Sequence, residues 1–316
     1  MDILIGPIVY RLGHMVSSMK EGFDSPWDRQ KIDMKFLRVG SLNEEKPSII
    51  DKNGIIRDLS SIIEDLNPIT INQNTIEKIK KSDLTKLQEI PKNLRIGACV
   101  SNPEKFIGIG LNYSDHAEET GMKPPSEPII FIKANSCISG PNDNVIIPKN
   151  SKKSDWEIEL GIVIGKKAQY ISEDKSFEYI FGYCIVNDIS EREFQIERSG
   201  QWDKGKGCDT FGPIGPYLVT KDEIKNVQDL NLELKLNGKI MQKGNTNKMI
   251  FGVKYLVSYL SHFMTLNPGD IITTGTPPGV GMAQKPQRFL KAGDVIELNI
   301  EGLSFQKQKV ISKNFD

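Results

Sequence analysis

Cysteine is scarce in this chain, and none of its four cysteines is spaced to work with another. Cys99, Cys137, Cys184 and Cys208 form no C-x-x-C pair, so neither a zinc site nor a small disulfide framework is expected. Cys184 lies in the apolar run "FGYCIVND" and is expected to be a buried thiol. This usage fits a reducing, cytoplasmic setting. Histidine is scarcer still, with only His14, His116 and His262. An excess of charge of one sign is missing as well. Lys+Arg and Asp+Glu both number 41, so no global field points to nucleic acid or to an anionic membrane. No apolar run reaches the roughly 18 residues that a membrane-spanning helix needs. The opening "MDILIGPIVYRLGH" lacks the basic start and the unbroken apolar core of a secretion signal. Nucleotide loops are also absent: "GKGCDTFG" has no G-K-[ST] ending, and "GIGLNY" fails G-x-G-x-x-G. What is present, 38% hydrophobic and 26% charged residues over 316 positions, describes a soluble globular protein of one large domain or two ordinary ones.

Composition divides the chain in three. Residues 1–33 look unlike the rest and read as an atypical N-terminal arm, or as a stretch ahead of a true start at Met34. Residues 34–103 read as a small N-terminal domain and linker. Short strands come first, with a polar turn near Asn43–Lys46 and an Asn53-Gly54 hairpin turn, and then the helix-prone "NTIEKIKKSDLTKLQEI". Residues 104–316 are dense in strand signals, among them "FIGIGLN", "PIIFIKAN", "WEIELGIVIG", "FGYCIVND" and "DVIELNIEG". The segments "LNPGDIITTG" and "LKAGDVIELN" echo each other and read as a recurring turn before a strand. One helix stands out in "FGVKYLVSYLSHFMTL". Val253, Leu256, Val257, Leu260, Phe263 and Met264 form its apolar stripe, and His262 falls on the opposite, exposed side. The expected fold class is α+β and strand-rich, with a few helices packed on a sheet or barrel.

The segment "SDWEIELGIVIG" carries the first chemical signal. Strand side chains alternate faces, so Ile158, Leu160, Ile162 and Ile164 share one face while Glu157 and Glu159 share the other. Two carboxylates about 7 Å apart along a strand can lean toward one point. Their mutual repulsion calls for a cation, a basic neighbour, a shared proton or plain hydration. "FGYCIVNDIS" adds a third acid, Asp188, at the end of an apolar strand. Three carboxylates without Cys or His suit a hard cation such as Mg²⁺, Mn²⁺ or Ca²⁺. E-x-E alone also describes a solvated sheet face. In "GIGLNYSDHAEETG", His116 and Glu119 are three apart on a short helical pattern stopped by Gly121. A carboxylate beside an imidazole raises its basicity and holds one tautomer, which suits activation of a water, although the spacing alone also describes a surface ion pair. Arg192, Gln195 and Lys206 follow Asp188 in "EREFQIERSGQWDKGKGCDTFGPIGP". The turn "ITTGTPPGVG" holds Thr276 and backbone amides able to grip an anion.

Taken in order, "GLNYSDHAEE", "PIIFIKANS", "DWEIELGIVIG", "VNDISEREFQ", "KGKGCDTFGPIGP" and "TTGTPPGVG" resemble the fumarylacetoacetate hydrolase family over about residues 104–302. The chain looks like its shorter, three-carboxylate branch, and the stretch from Met34 looks like the small domain often found ahead of the catalytic one. The resemblance implies a mixed β-sheet roll and a Mg²⁺ or Mn²⁺ ion held by Glu157, Glu159 and Asp188. It also implies that Lys206 lies beside the metal, that His116 and Glu119 act as a dyad on a small lid, and that Lys133, Arg192, Gln195 and Thr276 seat the substrate. The expected activity is hydrolysis of a C–C bond in a 2,4-dioxo acid, an acylpyruvate or a diketo-deoxy sugar acid, by a homodimer. Ureidoglycolate lyase or another metal–enolate reaction is the rival enzymatic reading. A silent metal- and oxo-acid-binding protein is a rival of a different class.

Overall fold

The structure, a computed structural model, describes residues 34–121 and 123–313. The readings of residues 1–33, His14 among them, lie outside the described residues. The stretch 34–103 forms strands β1 (Lys35–Val39), β2 (Lys46–Ile50) and β3 (Ile56–Asp58), helix α1 (Gln73–Lys81) and strand β4 (Glu89–Ile90). The Asn53-Gly54 turn joins β2 to β3 with Gly54 at φ 72°, and the Asp51 carboxylate accepts from the amides of Asn53 and Ile55. Helix α1 starts where Asn72 caps the Thr75 amide and ends in Lys78, Lys80 and Lys81, cations that suit a helix C-terminus.

Further along come β5 (Phe106–Gly110), α2 (Ser114–Thr120), β6 (Ile129–Lys133), β7 (Ile138–Ser139), β8 (Val145–Ile147), β9 (Ser154–Asp155) and β10 (Ile158–Ile164). Next are β11 (Ile180–Asn187), β12 (Ser190–Glu191), α3 (Asp203–Lys206), β13 (Gly212–Thr220), β14 (Asn231–Leu236) and β15 (Lys239–Asn245). The chain closes with α4 (Val253–Ser261), β16 (Ile271–Thr273), β17 (Val295–Ile300) and β18 (Ser304–Ser312). Among the described residues, an eleven-stranded sheet runs β4-β3-β2-β1-β13-β11-β10-β16-β5-β6, with β7 beside β13. A five-stranded sheet runs β15-β14-β17-β18-β8, and β9 pairs with β12. The large sheet is mixed, since β16 and β5 are parallel while β10 is antiparallel to both neighbours. The strand-rich α+β class is therefore what the chain adopts.

The stretch 34–103 does not close a sheet of its own. Strand β1 pairs antiparallel with β13, Lys35 opposite Val219, and the described residues from Met34 on fall in one compact unit. The boundary at 103/104 is a change in composition and not a break in the sheet.

Every residue of β10 and β11 is buried, so these central strands are covered on both faces. Glutamines of the smaller sheet reach into the larger one. Gln306 Nε2 donates to the carbonyls of Ile185 and Gly215 at 3.0 and 2.8 Å, and Gln242 Oε1 accepts from the Ile158 amide at 3.0 Å. These bonds satisfy backbone groups that the ladder leaves open. The two echoing segments form the same turn: the Asp270 and Asp294 carboxylates accept from the amides of Asn267 and Lys291, with Gly269 and Gly293 at positive φ. Helix α4 buries Val253, Leu256, Val257 and Leu260 as its period requires. It ends at Ser261, so Phe263 falls off the stripe and is 62% exposed. His262 is exposed, with Nδ1 2.8 Å from the Ser258 carbonyl oxygen.

Candidate active site

Strand register assembles the acids. In the antiparallel β10–β11 pair, Ile158 sits opposite Asn187, which sets Glu157 opposite Asp188 one step along, and the Asp188 amide donates to the Glu157 carbonyl. Residues facing each other across an antiparallel pair share a face. Glu159 joins that face by the period-two rule. One carboxylate oxygen from each of Glu157, Glu159 and Asp188 lies within 4.8 Å of the others, and all three residues are buried. The solvated-face reading of E-x-E is thereby replaced: Glu157 and Glu159 are 6% and 2% exposed.

Cations brace two of the three. Lys206, at the end of α3, donates from Nζ to Glu157 Oε2 at 2.5 Å and to Asp188 Oδ2 at 2.6 Å. Its ammonium also sits 4.9 Å from the Phe131 ring centre. Lys133, the last residue of β6, donates to Asp188 Oδ1 at 2.6 Å and to the Lys206 carbonyl at 2.5 Å. Arg192 donates from Nη2 to Glu157 Oε1 at 2.6 Å, from Nε to Asp155 Oδ2 at 2.9 Å, and from Nη1 to Gln195 Oε1 at 3.0 Å. Glu159 is held differently. Its Oε2 accepts from Thr273 Oγ1 at 2.6 Å and from the Gly275 amide at 2.8 Å, and no cation pairs with it among the described residues.

The electrostatics follow from this partition. Burial pushes both glutamates up, but Lys206 and Arg192 outweigh it at Glu157 and hold that carboxyl at about 2. At Glu159 burial is reinforced by the charges of Asp188 and Glu157, so its carboxyl stands well above the usual range. Burial works against the Lys206 charge, yet Asp188 and Glu157 carry its value above that of a free lysine. With all four carboxyl groups ionised (Asp155, Glu157, Glu159, Asp188), three cations (Lys133, Arg192, Lys206) leave one negative charge. An all-oxygen donor set with surplus negative charge suits a hard divalent cation.

The expected dyad is present. Helix α2 ends at Gly121, in the left-handed region at φ 68°, and His116 Nδ1 lies 3.1 Å from Glu119 Oε2. His116 is 7% exposed, more buried than a surface ion pair requires. The Gly279 amide donates to both Glu119 oxygens at 3.0 and 3.1 Å. The segment 276–282 is thus gripped from two sides, because the amides of Gly281 and Met282 donate to Asp155 at 2.6 and 3.0 Å. Glycine is required here: a Cβ on Gly279 would lie 1.9 Å from the Met241 carbonyl oxygen, and one on Gly281 would lie 1.9 Å from that of Arg288.

Two residues expected to seat a substrate also make bonds that brace the site. Lys133 is fully buried, with its ammonium turned to Asp188 and the Lys206 carbonyl, so it braces an acid. Thr276 Oγ1 donates to the Ile158 carbonyl and accepts from Gln242 Nε2, which locks the turn. Similarly, the 276–282 amides hold this chain's own carboxylates. Arg192 and Gln195 bond to each other beside Glu157. Asp155, Thr273 and Gln242 were not singled out from the sequence. For Asp155 the signal was there, since D-x-E-x-E continues the period-two pattern. For the other two nothing in the local sequence announces the role.

Residues 105–311 match the fumarylacetoacetate (FAA) hydrolase C-terminal family. The chain belongs to that family. A Burkholderia orbicola protein that bears only the general name of hydrolase is 55% identical over 277 residues, spanning 87% of this chain and 98% of its own length. The fumarylacetoacetate hydrolase of Exiguobacterium antarcticum superposes with a TM-score of 0.80 at 31% identity, covering 89% of this chain and 100% of that one. The maleylpyruvate hydrolase of Sphingobium sp. SYK-6, solved with manganese(II) and pyruvate, superposes with a TM-score of 0.74 at 26% identity over the same shares.

Proposed function

We propose that the protein is a divalent-metal-dependent hydrolase that cleaves a C–C bond in a 2,4-dioxo acid. The observation that carries this reading is the convergence of Glu157, Glu159 and Asp188 within 4.8 Å, with one carboxylate left without a cation of its own. A Mg²⁺ or Mn²⁺ ion held by those three would supply Lewis acidity toward a chelated oxo acid. A divalent ion would also turn the cluster's single surplus negative charge into a single positive one, which favours an anionic substrate. The manganese(II) and pyruvate of the Sphingobium relative support the same pairing of hard cation and oxo acid.

His116 acts as the base. Glu119 accepts from its Nδ1–H, which makes Nε2 the nitrogen that takes a proton from water. The water oxygen adds to the C4 carbonyl, the C3–C4 bond breaks, and its electron pair goes to C3 as the enolate of pyruvate. That carbon then takes a proton, giving pyruvate and a carboxylic acid. Lys206, charged at neutral pH, stabilises the developing negative charge.

The test is a panel of acylpyruvates followed by loss of enol absorbance, with Mg²⁺ or Mn²⁺ and again in chelator. Decay is expected only with the divalent ion, and His116→Asn is expected to lower kcat by roughly a hundredfold or more. Full turnover in chelator, or full turnover by the His116 variant, overturns the assignment.

A further inference from the structure

Strand β15 has one buried position, and a glutamine fills it. Gln242 is fully buried, while Ile240 on the same strand is 47% exposed. A strand that buries its amide and exposes its isoleucine calls for an explanation.

The bonds of Gln242 supply one. The pairing of β10 with β16 reaches Gly161, opposite Thr273, and the Thr274 amide then donates to the Leu160 carbonyl at 3.1 Å. Ile158 is met by side chains instead. Its amide donates to Gln242 Oε1 at 3.0 Å, and its carbonyl accepts from Thr276 Oγ1 at 2.9 Å. Gln242 Nε2 closes the clamp by donating to Thr276 Oγ1 and to the Pro277 carbonyl, both at 2.8 Å. One amide group accepts and donates at once, which a hydrocarbon side chain of the same length cannot do.

Ile158 is the residue between Glu157 and Glu159. Its N–H belongs to the planar peptide unit that starts at Glu157, and its C=O to the unit that ends at Glu159. Holding both planes fixes the two backbone dihedrals of Ile158, and these set how far the flanking carboxylates diverge. Like charges brought together push apart, so the strand needs such a restraint.

We infer that Gln242 is a positioning residue for the cation seat, holding Glu157 and Glu159 at the spacing in which they and Asp188 receive a divalent ion. This rests on the metal-dependent reading given above. Gln242 acts through the Ile158 backbone and not by ligation.

The smaller sheet carries its own control. Gln306 is also fully buried and also makes three side-chain bonds among the described residues, to the carbonyls of Ile185 and Gly215 and from Gln308 Nε2. Its bonds reach backbone that adjoins none of the three acids. Gln242→Met and Gln306→Met each keep the length and remove the amide. Both are measured for thermal midpoint in chelator and for calorimetric binding of Mn²⁺ and Mg²⁺, each metal alone. Both variants are expected to melt below wild type. Only Gln242→Met is expected to bind metal more weakly, by about tenfold or more. Thr276→Val opens the other half of the clamp and is expected to weaken metal binding too. The double variant should lose less than the product of the two single losses, since both act through Ile158.

A Gln242 variant that melts lower but binds metal as wild type does overturns the inference, because its bonds then serve the fold alone. Equal losses of affinity in the Gln242 and Gln306 variants overturn it as well, because metal binding then reports general loosening. Should Gln242→Met fail to fold, Thr276→Val decides by the same two outcomes. A wild type that binds neither Mn²⁺ nor Mg²⁺ overturns the metal-dependent reading and this inference together.

Discussion

The tripeptide Ile-Glu-Leu occurs twice, at 158–160 in β10 and at 296–298 in β17, and the two copies have opposite fates. Glu297 faces Lys307 across the β17–β18 pair at 2.9 Å, with both side chains partly in water. Glu159 is 2% exposed, meets only neutral donors among the described residues, and shares its face with two further acids. Strand β17 alternates buried with half-buried or exposed positions, whereas all seven residues of β10 are buried. The local sequence is the same, so the difference lies in what surrounds it. Strand β10 runs between β11 and β16 and approaches β14 of the smaller sheet. A surface glutamate gains little from its partner, and a buried one without a counter-ion is held in an unfavourable state that only function explains.

The comparison can be broken most directly at Glu159. Glu159→Gln is expected to lower divalent-dependent turnover by a hundredfold or more, about 3 kcal/mol of barrier, measured as initial rate against metal concentration. Next is Thr273→Val, which removes the hydroxyl donor at 2.6 Å and leaves Glu159 one partner short. A loss of about 1–3 kcal/mol is expected by chemical denaturation. The third test uses pH, in chelator. Glu157 is held at about 2 against an ordinary 4.5, so its share of stability is present above 4.5 and lost as pH falls toward 2. Glu159 is raised, so its share is full below 4.5 and lost as pH rises through the raised value. Glu159→Gln removes the second dependence. The variant should therefore melt above wild type at neutral pH, with the gap closing below pH 4.5. The smallest effect belongs to Glu297→Gln, expected to stay within about 0.5 kcal/mol of wild-type stability with turnover unchanged. A Glu297 effect as large as that of Glu159 would remove the distinction between the strands.

Much of this site was legible in the chain because strand geometry is a two-state rule. Once 154–165 is read as a strand, Glu157 and Glu159 must share a face, and an acid closing the next buried strand can meet them. The i, i+3 spacing likewise brings His116 to Glu119. The bracing was less legible, because it depends on partners far along the chain. Lys133 reaches Asp188 across 55 residues and the Gln242 side chain reaches the Ile158 amide across 84, which only the assembled sheets decide. Burial of both faces of β10 is of the same kind, since nothing within "IELGIVI" says that a second sheet lies against it. Composition reads 34–103 as a small N-terminal domain, and the pairing of β1 with β13, which joins it to the large sheet, is not visible in that stretch alone.

The segment 276–282 has a consequence for how this enzyme can diversify. One short strap touches Glu119 on one side and Asp155, the partner of Arg192, on the other. Any change that shifts it moves the His116–Glu119 pair and the Asp155–Arg192 brace in concert, so the two cannot be retuned one at a time. Variation that alters substrate choice without harming the reaction should accordingly accumulate in peripheral loops, leaving this joint untouched.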